Sequence, residues 1–207
     1  LPVKLSGETI VILHLLPLDS FDPLQEINFS LISTTKLNTR PMFSTAYDER
    51  YNFYGFLTFS KKPDKPGYCN SYTQLFKNGC IESSTSTYSE NEMHNQRLIQ
   101  ITEFENEIIS NIDSYLKTLQ NLNISTPIFI MLTMFGFKNF KFYYFHKNGR
   151  GSYGYKIDEE NLIFEPVILD SFDVNISQLV KPIFDSLWNS FGAAYSLNYD
   201  TNGIRIK

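Results

Sequence analysis

The stretch Tyr72-Thr73-Gln74-Leu75-Phe76-Lys77-Asn78-Gly79-Cys80-Ile81-Glu82-Ser83-Ser84-Thr85-Ser86-Thr87 carries the strongest short hairpin signal in the chain. An Asn-Gly pair supplies the left-handed backbone of a tight turn, and the flanking residues suit a pleated strand. It reads as two antiparallel strands with Lys77 facing Cys80. Outward from this hairpin, strand-like segments succeed one another with few helical interruptions. Thr9 to Leu16 is apolar on both alternating faces, the pattern of a central strand covered on both sides. Asp19 to Met42 has no sustained period and contains Pro23 and Pro41, so it reads as loop with a short helical turn. Tyr51 to Ser60 is an aromatic-rich strand, ended by Pro63, Pro66 and Gly67. Ser83 to Asn95 lacks the apolar residues needed to bury a face and is expected to be an exposed, mobile loop. Ile128 to Met134 reads as a buried strand, and about Phe140 to His146 and Leu162 to Leu169 add two more. Gly149 to Gly154 reads as a glycine-punctuated loop between them.

Two segments carry helical periodicity. From Thr102 to Leu122, the residues Phe104, Ile108, Ile112, Tyr115, Leu119 and Leu122 recur every three or four positions. Thr102 followed by Glu105 matches a capping box, and Glu103, Glu105 and Glu107 place negative charge at the positive end of the helix dipole. From Ile176 to Phe191 the apolar face is Leu179, Val180, Ile183, Phe184, Leu187, Trp188 and Phe191, and Pro182 inside it predicts a kink or an early non-α start. The element order predicts an α+β fold: a largely antiparallel or mixed sheet with two main amphipathic helices packed on one face. No Pro-, Gly- or Ser-rich linker divides residues 1–207, which read as a single globular domain. The opening Leu1-Pro2-Val3-Lys4 lacks an initiator methionine, so an excised C-terminal domain of a longer protein is expected.

The 42% hydrophobic and 19% charged composition excludes intrinsic disorder, and no 18-residue apolar run offers a membrane span. A net charge of -4 argues against a nucleic-acid binder that uses its whole surface, while leaving room for a local patch. The hairpin register sets Cys69 roughly 27 Å from Cys80, so no intrachain disulfide is expected, and the low cysteine count suits a cytoplasmic protein. Two cysteines without matching ligands do not make a zinc site. No phosphate-binding glycine loop, dinucleotide fingerprint or nucleophile elbow occurs, and no cofactor is expected.

Three constellations remain. His14 lies on the parity of Ile10, Ile12 and Leu16, and with Arg50, Tyr51 and Asn52 it forms a candidate pocket; the plain alternative is a hydrogen-bonded structural imidazole and simple packing. Lys138, Lys141, Lys147 and Arg150, interleaved with aromatic residues up to Lys156 and with no acidic residue among them, form a candidate nucleic-acid patch. The echo of Leu18-Asp19-Ser20-Phe21-Asp22 in Leu169-Asp170-Ser171-Phe172-Asp173 could gather Asp19, Asp22, Asp170 and Asp173 round a divalent cation if the preceding strands were neighbours and parallel. Turn and cap formation is the simpler role for those residues.

Four ordered segments, His14-Leu15-Leu16-Pro17-Leu18, Arg50-Tyr51-Asn52-Phe53-Tyr54-Gly55, Leu75-Phe76-Lys77-Asn78-Gly79-Cys80-Ile81-Glu82 and Phe184-Asp185-Ser186-Leu187-Trp188-Asn189-Ser190-Phe191-Gly192, resemble the C-terminal region of bacterial proteins that begin with an AlbA-like, Schlafen-type DNA-binding domain. The likeness runs from about residue 8 to residue 200. Tyr54 departs from the acidic residue expected before the glycine. The resemblance implies a bacterial, cytoplasmic accessory domain of a nucleic-acid-associated regulator or defence protein. Its partner would be the AlbA-like N-terminal domain of the same chain, which would supply most of the affinity for nucleic acid. It supplies no catalytic residues. A non-catalytic sensing or interaction domain is therefore expected, with a divergent metal-dependent nuclease or other hydrolase as the alternative.

Overall fold

The structure, a computed structural model, describes residues 2–32, 38–90, 92–93, 96–146 and 149–206. Its strands in chain order are β1 (Lys4–Leu5), β2 (Ile10–Pro17), β3 (Asp48–Asn52), β4 (Gly55–Lys61), β5 (Tyr68–Phe76), β6 (Ile81–Thr85), β7 (Glu92–Met93) and β8 (Gln96–Gln100). The helix α1 (Ile101–Asn121) follows, then β9 (Ile128–Phe135), β10 (Lys141–Phe145), β11 (Gly151–Lys156), β12 (Asn161–Ile163) and β13 (Val167–Leu169). Two further helices, α2 (Ile176–Leu179) and α3 (Lys181–Asn189), come after β13.

The fold is α+β, as the element order predicts, but its strands divide into two sheets. The larger has the order β12-β9-β2-β6-β5-β4-β3, with β1 beside β5 and β13 beside β9; the smaller is β11-β10-β8-β7. Among the described residues, all pairings are antiparallel except β1 with β5 and β10 with β8. Alternation along the two long central strands sends Val11, Leu13 and Leu15 of β2 and Ile128, Ile130, Leu132 and Met134 of β9 into the core. They join one contiguous apolar cluster with Phe104, Ile108, Ile112, Tyr115 and Leu119 of α1 and with Ile183, Phe184, Leu187 and Trp188 of α3. Ile112 is fully buried, so Ile112→Ala is expected to cost about 2–5 kcal/mol, read from urea unfolding. An unchanged midpoint would show that this helix face carries no packing.

Several local expectations are corrected. The opposite face of β2 is only partly covered: Ile10, Ile12, His14 and Leu16 are half-buried, with Ile10 against a small cluster of Leu5, Leu57, Cys69 and Tyr72. In the central hairpin, Leu75 pairs with Ile81 and the Phe76 N–H donates to the Cys80 carbonyl at 2.8 Å, so Phe76, not Lys77, faces Cys80. The loop is the three residues Lys77-Asn78-Gly79, because only Gly79 takes a positive φ, +89°. Both cysteines are free, with Cys69 buried. The segment after the hairpin is not an exposed loop at its start: Ser83, Ser84 and Thr85 are buried in β6, and a 3-10 turn, Thr87–Glu90, follows. Residues 91, 94 and 95 of that expected loop lie outside the described residues.

Tyr51 to Ser60 is two strands, not one. The Asn52 side chain accepts from the backbone N–H groups of Tyr54 and Gly55 and folds β3 onto β4. Glu165-Pro166 separates β12 from β13, and most of Gly149 to Gly154 is strand β11. The cap of α1 is Gln100, which accepts the Glu103 N–H at 2.6 Å, while Thr102 donates instead to Asn198. Pro182 sits in the first turn of α3, where its missing N–H costs no helical bond, and it splits the last helix into α2 and α3.

Candidate functional site

The pocket expected from His14, Arg50, Tyr51 and Asn52 is not assembled. His14 on β2 and Arg50 on β3 are separated by three intervening strands, a span of about 19 Å. Tyr51 points to the other face and packs on Phe29 and Phe56, and Asn52 builds its turn and donates to Gln74. His14 does have a partner, the cross-strand Glu82, whose other carboxylate oxygen accepts from the buried Tyr72 hydroxyl at 2.6 Å. The His14 hydrogen bond holds the Glu82 carboxyl below its usual value against the opposing effect of burial. Burial, and next the hydrogen bond to Glu82, push the Tyr72 phenol up. This is a satisfied, partly buried structural network on the sheet face away from the main core.

The four aspartates are not gathered either. Pro17 and Leu169 both lie opposite Ile128, so β2 and β13 run parallel, but β9 stands between them and holds them about 10 Å apart. The Asp22 carboxylate accepts the Leu24 N–H, and the Ser171 hydroxyl accepts the Asp173 N–H. Among the described residues, no three His, Cys, Asp or Glu side chains converge as a metal site. Of the basic patch, Lys138 is exposed in the β9–β10 turn, Lys141 lies in β10 and Arg150 is exposed just before β11. Lys147 and His94 lie outside the described residues.

A cleft of about 930 Å³ opens where the end of β10 meets α3 and the segment after it. Its lining includes Phe145, His146, Lys181, Asp185, Tyr195 and Tyr199. Lys181 and Asp185, one helical turn apart, pair at 2.5 Å, and the second Asp185 oxygen accepts the Ser196 N–H at 2.9 Å. The Lys181 ammonium lies 5.6 Å from the centre of the Tyr199 ring, and the Tyr199 hydroxyl donates to the Ser177 carbonyl at 2.6 Å. Burial lifts that phenol to about 12. His146 shares a hydrogen bond with Ser152, and Asp200 accepts from the N–H groups of Asn202 and Ile204 to form the turn at the cleft wall.

That wall is held by one residue of α1. Glu105 is wholly buried and accepts four hydrogen bonds: from the Trp188 indole at 2.7 Å, the Ser196 hydroxyl at 3.0 Å, the Asn198 amide at 2.8 Å and the Arg205 guanidinium at 2.7 Å. Every lone-pair direction of the carboxylate is used, which is the condition for a buried charge to be tolerated. Arg205 in turn lies over the rings of Tyr199 and Phe184.

No family model, curated protein or solved structure matches this chain. The cleft was not legible in advance, because its residues come from three segments, 145–146, 181–185 and 195–203, that no local motif connects. The one available signal was the Lys181/Asp185 spacing, which is shared by many ordinary surface helices.

Proposed function

We propose that this chain is a non-catalytic sensing domain of a bacterial nucleic-acid-associated regulator or defence protein, and that the cleft beside α3 is where it takes a small ligand. The observation that carries this reading is the division of labour inside the cleft. Several of its polar side chains are committed to internal partners, as Asp185 is to Lys181 and Ser196, and Tyr199 is to Ser177. Phe145 and Tyr195 bring partly exposed aromatic surface to it, at 42% and 57% exposure. Aromatic walls with a few fixed polar groups suit retention of a flat or apolar molecule, and the volume falls in the range of small-molecule sites. The link to nucleic acid and to an AlbA-like partner domain rests on the sequence resemblance. No helix among the described residues is long and apolar enough to cross a membrane.

Native mass spectrometry of the purified protein tests the cleft. A small molecule is expected to copurify with the wild type and to be lost from Phe145→Ala/Tyr195→Ala, with circular dichroism unchanged. A bound mass that persists in the folded double variant would remove the cleft from consideration. Mg²⁺-dependent degradation of nucleic acid by the wild type would replace the sensing domain with a nuclease.

A further inference from the structure

We propose that the outer face of the β10–β11 hairpin is a stacking platform for single-stranded nucleic acid. Alternation along β10 places Lys141, Tyr143 and Phe145 on one side, and sends Phe142 and Tyr144 to the other, against Phe191 and Trp188. The Tyr143 ring centre is 5.1 Å from that of Tyr153, its cross-strand partner, and 4.9 Å from that of Phe145. Three rings thus form a continuous strip across the hairpin, and Tyr153 is 57% exposed. The strip needs a glycine beneath it. A Cβ at Gly151 would lie 2.6 Å from the Tyr143 hydroxyl oxygen, so glycine alone leaves room for that ring to lie across the strand.

Charge supplies the second half of the argument. Lys141 and Lys156 are directly opposed in the ladder, an arrangement that costs energy unless an anion lies between them. Neither ammonium group has a hydrogen bond or ion pair among the described residues, and nor has that of Lys138 in the adjoining turn. The segment from Lys138 to Lys156 contains no acidic residue. Rings that stack and cations that neutralise phosphates are what an unpaired strand requires, because its bases expose their faces. A duplex hides those faces and would meet only the three lysines. The platform does not depend on the cleft reading, although Phe145 belongs to both.

Fluorescence anisotropy with a labelled oligonucleotide of about 12 residues decides the matter, run on DNA and RNA versions and on the matching duplex. Weak binding of one or both single strands is expected, at least about tenfold tighter than the duplex, with the two versions showing which sugar is preferred. Between about 50 and 200 mM salt, three phosphate contacts give a slope of roughly -2 in log affinity against log salt. Lys141→Gln/Lys156→Gln should cut that slope to about -0.7. Tyr143→Ala/Tyr153→Ala should weaken binding about tenfold or more. Should the ring variant fail to fold, the lysine variant carries the test, since its changes are at solvent-facing positions. Equal affinity for duplex and single strand, an unaltered slope in the lysine variant, or no binding at low salt would each overturn the platform. Tyr195→Ala, in the cleft, is expected to leave oligonucleotide affinity unchanged. A loss there would move the site into the cleft and refute the platform.

Discussion

Glu105→Ala is expected to cost about 3–5 kcal/mol, the penalty for removing one partner of a buried, fully bonded ion pair. The loss leaves the Arg205 charge, the Trp188 indole N–H and the Asn198 amide facing a cavity. Glu105→Gln keeps the volume but turns one acceptor oxygen into a donor that meets Asn198 or Arg205, and should recover only part of the loss. Trp188 is the single tryptophan of the chain, so its fluorescence reports the site directly. Both the urea midpoint and the emission maximum should move in Glu105→Ala. An unchanged midpoint would mean that the segment bearing Ser196, Asn198 and Arg205 is held by something else.

The second large effect is alkaline unfolding. Tyr72, Tyr88, Tyr115 and Tyr199 are buried phenols, and burial is the leading cause that holds each above the ordinary value of 10. Burial likewise lifts the Cys69 thiol from 9.0 to about 12. A group whose folded pKa is raised contributes its full stability below the unfolded value and loses it as pH climbs towards the folded one. The loss therefore begins near pH 9 for the thiol and near pH 10 for the phenols. As pH climbs past those values, the four phenols and the thiol all give up stability in the same direction, because each can ionise only by leaving its buried site. Circular dichroism against pH should show cooperative unfolding near pH 11, and Cys69→Ala should move the midpoint upward. Ionisation of all thirteen tyrosines by about pH 11 with the circular dichroism unchanged would contradict this burial.

What the sequence disclosed and what it hid divide along physical lines. The face of α1 repeats every three to four residues, and the two central strands are long apolar runs, so their patterns survive any tertiary context. The β3–β4 turn was hidden because Asn52-Phe53-Tyr54-Gly55 carries two aromatic residues at its tip and mimics strand interior. β11 was hidden because its glycines, read as loop markers, are there to fit Tyr143 and Phe191. Glu105 illustrates the limit most clearly. Three residues after Thr102 it completes a capping signature, yet the real cap is Gln100 and the carboxylate is spent inside the protein. No local rule could name its partners. The division of the strands into two sheets was hidden for a similar reason, since it depends on the parallel pairing of β8 with β10 across the whole of α1 and β9.

The partners of Glu105 lie 83, 91, 93 and 100 residues further along the chain. During synthesis, α1 and the strands before it emerge while this carboxylate has none of its donors, and it stays hydrated until residues 188–205 arrive. Closing so long a loop carries an entropy cost that the hairpin pairings β3–β4, β4–β5 and β5–β6 do not bear, so the anchor is expected to join after those hairpins have formed. An interaction made after the rate-limiting step acts on escape from the native state and not on entry to it. Glu105 is in this sense a latch: Glu105→Ala should accelerate unfolding nearly by the full factor of its stability loss and leave the folding arm of the chevron almost where it was. The lifetime of the cleft's wall is thereby expected to depend on a residue that does not line the cleft.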